Sequence, residues 1–175
     1  ISHEEATESF GLIPEKKTIL ILGGSLGART INETLIDGLD IIRANPNVQF
    51  IWQTGKIYIE QIREAITAAT GESVRHPHIN AIPNLYVTDF IKDMASAYAA
   101  ADLVISRAGA GSISEFCLLH KPVILIPSPN VAEDHQTKNA LSLVNKDAAI
   151  YVKDVDAKDK LLPIAMETIA DTEKL

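Results

Sequence analysis

Two glycine-rich stretches carry the residue types that bind anions. One is GGSLGARTINE at 23–33, directly after the apolar run TILIL, and the other is RAGAGSISE at 107–115, directly after DLVIS. Glycine lets main-chain N–H groups approach an anion without a Cβ in the way. The helix that begins after such a turn adds free N–H donors and the positive end of its dipole. Two such turns in one sheet favour a nucleotide diphosphate as ligand.

Glu115 closes the second stretch and has two interpretations. A carboxylate one turn into a helix can accept hydrogen bonds from both hydroxyls of a ribose. Ser112 and Glu115 also have the Ser-x-x-Glu spacing of a capping box, in which the carboxylate binds back to the main chain. The spacing alone leaves both interpretations open.

A third polar stretch follows the apolar run PVILIP. It is SPNVAEDHQTKNA at 128–140, which places six polar side chains in one loop and helix start. Polar groups at the end of a strand suit sugar hydroxyls. A solvated loop with an aspartate cap is the alternative interpretation of the same residues.

Several common sites are excluded by their spacing. The dinucleotide fingerprint fails at both glycine turns, with Leu22 and Ser114 at required glycine positions, and no acid ends the following strand. TGK at 54–56 lacks the remainder of a phosphate-binding P-loop. His76 and His78 have no partner at metal-ligand spacing. We therefore expect neither a metal nor a cofactor, and we expect Cys117 to lie in the core.

Composition excludes further classes of protein. The chain has 175 residues, of which 46% are hydrophobic and 22% charged, as in ordinary globular domains. Its formal net charge of -7 argues against a nucleic-acid partner and against a polybasic membrane patch. The single cysteine excludes an internal disulfide.

The apolar pattern predicts an α/β fold. Six β-branched runs read as strands, at 18–22, 48–52, 85–90, 102–106, 122–126 and 148–152. Helical spacing lies between most of them, around residues 31–42, 59–66, 94–98, 113–117, 141–144 and 162–169. This alternation predicts a Rossmann-like parallel sheet with helices on both faces. We expect one domain over 1–175, a linker-like start at 1–12, loosely held ends and a long loop at 70–83.

Three segments in order resemble the C-terminal, donor-binding domain of the MurG family of peptidoglycan glycosyltransferases, which have the GT-B fold. They are GGSLGARTIN at 23–32, FIKDMASAYAAADLVISRAGAGSISE at 90–115 and PVILIPSPNVAEDHQTKNA at 122–140. The resemblance runs from about residue 8 to 155. It implies transfer of N-acetylglucosamine, with inversion, from UDP-GlcNAc to lipid I to form lipid II.

The resemblance also implies a donor site. Ser25 would contact the donor near its diphosphate, and the main-chain amide and carbonyl of Ile91 would hold the uracil. Glu115 would bind the ribose and Gln136 the GlcNAc hydroxyls. The second glycine turn would lie beneath the nucleotide, with Ser112 at the phosphates; the substrate-binding residues implied there are Ala110, Gly111, Ser112, Ile113 and Ser114. Some relatives have a glutamine at the position of His135 and a bulkier residue at that of Gly111.

The same resemblance assigns no catalytic residue to this chain. The family's N-terminal domain carries the acceptor site for lipid I, the catalytic base and the membrane-associating patch, so we expect this chain to be an excised donor-binding domain, inactive alone. The whole enzyme would be peripheral, at the cytoplasmic face of the bacterial membrane. Two alternatives stay open: another GT-B enzyme acting on a UDP-sugar, such as a glycolipid glycosyltransferase or a UDP-GlcNAc 2-epimerase, or an Alg13-like half of a two-chain transferase.

Overall fold

A computed structural model of the chain describes residues 2–22, 29–71, 78–79, 82, 84–107, 123–126, 149–152 and 157–170. In these segments one mixed sheet is covered by helices. The helices are α1 His3–Ser9, α2 Arg29–Asp37, α3 Leu39–Ala44, α4 Ile59–Thr70, α5 Met94–Ala100 and α6 Ala157–Ala170. The helices predicted around 113–117 and 141–144 lie outside the described residues.

The sheet confirms the predicted fold class. Its strands are β1 Lys17–Leu22, β2 Val48–Gln53, β3 His78–Ile79, β4 Leu85–Thr88, β5 Leu103–Arg107, β6 Val123–Ile126 and β7 Ala149–Tyr151. They lie in the order β3-β4-β2-β1-β5-β6-β7, and every described pairing is parallel except that of β3 with β4. Without β3, this is the doubly wound order of a Rossmann fold.

Alternate residues of the central strands enter two separate cores. Ile19 and Ile21 belong to a cluster with residues of α2, α3, α4 and α6, whereas Leu20 belongs to one with residues of α1 and α5. Successive strand side chains point to opposite faces of a sheet, so β1 is buried on both. This explains why the strands read as continuous apolar runs.

Side chains at the amino ends of the strands form hydrogen bonds to the main chain. Gln49 accepts from Ile13 N at 2.7 Å and donates back to its carbonyl at 2.9 Å. Thr18 N donates to the Asp102 carboxylate at 2.8 Å, and Asn84 Nδ2 donates to three main-chain carbonyls in and after α3. This edge of the sheet is therefore closed by its own polar groups.

The start of the chain differs from the predicted linker. Residues 3–9 form α1, which packs on α5, and Ala6 is fully buried. Ser2 caps the helix by accepting from Glu5 N at 3.1 Å, and the His3 ring lies 2.9 Å from the Ala99 carbonyl. The Ser-x-x-Glu spacing at residues 2–5 was the sequence signal for this helix.

Two further differences concern short elements. The single helix expected over 31–42 is two helices, which meet at Gly38. Within the loop expected at 70–83, β3 pairs antiparallel with β4, His78 with Thr88 and Ile79 with Val87. Two residues are too few to show a strand periodicity in the sequence.

Gly38 gives a prediction about stability. A Cβ at this position would overlap Leu162 Cδ1 of α6 and would lie 3.2 Å from the Thr34 carbonyl. Because overpacking a buried contact typically costs about 1–3 kcal/mol, we expect Gly38→Ala to lower the free energy of unfolding by that amount in urea titrations.

The double variant with Leu162→Ala tests the cause. If the methyl–methyl clash sets the cost, adding Gly38→Ala to Leu162→Ala costs clearly less than adding it to the wild type. Strictly additive losses would show that the contact does not matter.

Candidate functional site

Four neighbouring strands end in register at the carboxyl edge of the sheet. Thr88 of β4 pairs with Gln53 of β2, Gln53 with Leu22 of β1, and Leu22 with Ser106 of β5. The strand order reverses between β1 and β5, which is where ligands of such sheets bind. Both glycine turns follow strands at this reversal.

Most of the residues implied for the donor site lie outside the described residues. They are Ser25, the stretch from Ala110 to Glu115, and Gln136, together with His135. Their roles stay predictions. Ile91 is described, and it lies three residues beyond the end of β4.

Ile91 is anchored through its side chain and its main chain. The side chain is 4% exposed, within the cluster that lies beneath α1 and α5. Its N–H donates to Gln53 Oε1 at 2.8 Å, so the amide predicted to hold uracil has a partner inside the protein. Phe90, next to it, is 58% exposed at the same edge. The role of Gln53 was not inferred from the sequence, because its partner is 38 residues away.

Main-chain hydrogen bonds join the loops after β2 and β4. Thr54 N donates to the Thr88 carbonyl and Gly55 N to the Asp89 carbonyl, both at 2.9 Å. Gly55 has a φ of +84°, a conformation that costs other residues free energy. The TGK segment, which is not a P-loop, thus shapes the connection between these two strand ends.

A buried polar pair fixes α2 against the end of β2. Trp52 Nε1 donates to Asn32 Oδ1 at 2.9 Å, and Asn32 Nδ2 donates to the Thr54 carbonyl at 3.0 Å. Asn32 is 2% exposed and Trp52 fully buried. Because α2 follows the first glycine turn, these bonds set where that turn ends. A tryptophan in a buried strand, which needs a partner for its indole N–H, was the available sequence signal.

Asp93 ends the loop that contains Ile91 and caps α5. Its carboxylate accepts hydrogen bonds from the Ser96 hydroxyl and from Ser96 N. The hydroxyl bond first, and then the main-chain bond, hold the pKa of Asp93 below its usual value. A carboxylate that remains ionised and engaged in this way is suited to holding the helix start, not to proton transfer.

Neither a metal cluster nor a membrane span occurs in the described segments. They contain no group of three His, Cys, Asp or Glu side chains placed to hold a metal ion. No helix there is long and apolar enough to cross a bilayer.

Comparison with known families decides the classification. Residues 18–174 match the model of the glycosyltransferase family 28 C-terminal domain. The chain belongs to this family. The resemblance inferred from the three sequence segments is thereby confirmed, and the match includes both glycine turns of this family 28 domain.

Named relatives of the family 28 domain include peptidoglycan enzymes. It is 76% identical, over 98% of its length, to a Bacteroides fragilis protein named UDP-N-acetylglucosamine–N-acetylmuramyl-(pentapeptide) pyrophosphoryl-undecaprenol N-acetylglucosamine transferase. The crystal structure of Acinetobacter baumannii MurG superimposes with a TM-score of 0.69 at 28% identity, covering all of this chain and 46% of that one. The chain spans 43% of the length of the Bacteroides relative.

A second solved structure shares the fold alone. The solution structure of ALG13 matches with a TM-score of 0.61 at 23% identity, over 92% of this chain and 88% of that one. At this identity the match describes architecture and gives no information about substrate.

The bridge formed by Asn32 gives a prediction about stability. Asn32→Ala leaves a buried indole N–H and a buried carbonyl without partners, and each such group costs about 1–3 kcal/mol. We expect the free energy of unfolding to fall by about 2–4 kcal/mol, measured by urea titration. In a Trp52→Phe background the same change orphans only the carbonyl, and its cost should be smaller. An Asn32→Ala variant as stable as the wild type would contradict the bridging role.

Proposed function

We propose that the chain is the donor-binding part of an inverting transferase that moves N-acetylglucosamine from UDP-GlcNAc to lipid I, forming lipid II. The observation that carries the proposal is the 76% identity to the Bacteroides fragilis transferase over almost the whole chain. The acceptor site, the catalytic base and the membrane contact would belong to the part of the relatives that precedes the matched region. The whole enzyme would be peripheral, at the cytoplasmic face of the membrane.

The arrangement of the sheet supports a diphosphate ligand. The glycine turns follow β1 and β5, whose ends are paired at the reversal of strand order. In this proposal Ser25 contacts the donor near the diphosphate, and Ser112 does so from the second turn, with Ala110, Gly111, Ile113 and Ser114 beside it. Glu115 binds the ribose, and Gln136 binds the sugar. The uracil lies against the loop that contains Ile91.

The chain would contribute binding and leaving-group stabilisation. An acceptor hydroxyl, deprotonated by a base outside this chain, attacks the anomeric carbon of GlcNAc from the face opposite the diphosphate. The bond to the diphosphate oxygen breaks, and UDP departs with the additional negative charge. Main-chain N–H donors and helix N-termini at the glycine turns would stabilise that charge without a metal ion.

A chimera tests the proposal directly. We expect this chain, joined to the preceding region of the Bacteroides fragilis relative, to transfer GlcNAc from UDP-GlcNAc to a lipid I analogue. The chain alone should not do so, and EDTA should not abolish the transfer. UDP should bind the chimera more tightly than ADP or GDP does, measured by calorimetry.

The parent Bacteroides enzyme is the positive control. A folded chimera that transfers no sugar, while the parent does, would contradict the proposal. Transfer to a different acceptor would favour another UDP-sugar enzyme of this fold. Activity restored only by a separate, non-covalent partner chain would favour the two-chain arrangement.

Substitution of Glu115 separates ribose binding from helix capping. Glutamine can still cap, so Glu115→Gln should leave the melting temperature nearly unchanged. It removes the charge that strengthens hydrogen bonds from the ribose hydroxyls, and UDP binding should weaken by about 1–2 kcal/mol. Glu115→Ala should weaken it further and also lower stability. If UDP binding by Glu115→Gln equals that of the wild type, with 2′-deoxy-UDP as comparison, Glu115 does not bind the ribose.

A further inference from the structure

The hydrogen bond between Gln53 and Ile91 determines what a base can contact at this edge. Ile91 N–H is a donor, so the side-chain atom 2.8 Å from it must be the acceptor oxygen of the Gln53 amide. The opposite end of the same amide is an NH₂ group with two donors. Fixing Oε1 on Ile91 therefore also fixes the position of Nε2.

Gln53 is placed for contact with a ligand. It is the last residue of β2, it is partly exposed, and it pairs with Leu22, which directly precedes the first glycine turn. Within the described segments its Nε2 donates to no protein group, and the Ile91 carbonyl accepts from none. A donor and an acceptor thus lie beside each other at the strand end.

Uracil presents a complementary pattern. Its N3–H is a donor flanked by two carbonyl acceptors, whereas cytosine has an acceptor at N3 and an amino group in place of O4. While Gln53 accepts from Ile91 N–H, a base cannot pair with that N–H. It can still donate N3–H to the Ile91 carbonyl and accept from Gln53 Nε2.

We propose that Gln53 is a specificity-determining residue for the donor nucleotide, with its Nε2 donating to a uracil carbonyl while its Oε1 holds Ile91 N–H. This inference rests on the proposed function, which supplies a uridine nucleotide as ligand. It replaces the expected main-chain amide contact of Ile91 with a side-chain contact from Gln53. The selection between pyrimidines would then depend on one side-chain amide.

Gln53→Glu tests the donor. A carboxylate still accepts from Ile91 N–H and keeps the loop in place, but it cannot donate to a uracil carbonyl and it can accept from a cytosine amino group. We expect the ratio of UDP to CDP affinity to fall about tenfold or more, since one hydrogen bond of this kind corresponds to about a factor of ten. Calorimetry with UDP and CDP, on the chain and on the chimera, measures this ratio.

Two further variants keep the result interpretable. Gln61→Glu, the same change at an exposed position of α4, should leave the ratio unchanged and controls for net charge. Gln53→Met keeps the length of the side chain without donor or acceptor, and should weaken UDP binding. Thermal melting of each variant shows whether it is folded.

The outcomes separate this inference from the proposed function. If the wild type prefers UDP to ADP and GDP but Gln53→Glu has the wild-type UDP to CDP ratio, Gln53 only holds the loop and the inference is wrong. Tighter UDP binding by Gln53→Met would mean that Gln53 competes with the base, which also overturns it. Absence of a UDP preference in the wild type would instead contradict the proposed function.

Discussion

The in-register ends of β4, β2, β1 and β5 are the constraint on which the candidate site depends. Thr88, Gln53, Leu22 and Ser106 form one row across four parallel strands. Parallel strands buried on both faces require a crossover after each strand, so their connecting loops emerge at one edge. A shift of one residue in any of these pairings would exchange the two faces of that strand and separate its loop from the others.

The two edges of the sheet use polar side chains differently. At the amino edge, Gln49, Asp102 and Asn84 bond to main-chain groups and tie the strand starts to one another. At the carboxyl edge, Asn32 and Gln53 bond to the loops themselves. Ordering these loops within the protein means that less conformational entropy has to be lost when a ligand binds.

A loop that presents main-chain groups to a base must be held by its neighbours. The buried side chain of Ile91 fixes one end of its peptide, and the cap that Asp93 forms on α5 fixes the exit of the loop. Gly55 joins the neighbouring loop to the residue before Phe90. Support of this kind around a contact group is what keeps a recognition site within the narrow tolerance that specificity requires.

The sequence by itself determined the fold class, the six parallel strands and the family, because these depend on local patterns: apolar periodicity, glycine after a strand, and motifs of fixed spacing. It also located the residues expected to bind the donor, most of which stay predictions. Only the tertiary structure decided that Ile91 N–H pairs with Gln53, that Asn32 joins Trp52 to Thr54, and that α1 packs on α5. A hydrogen-bond partner dozens of residues away is selected by strand register and helix packing, which depend on the whole core and leave no periodic trace in the chain.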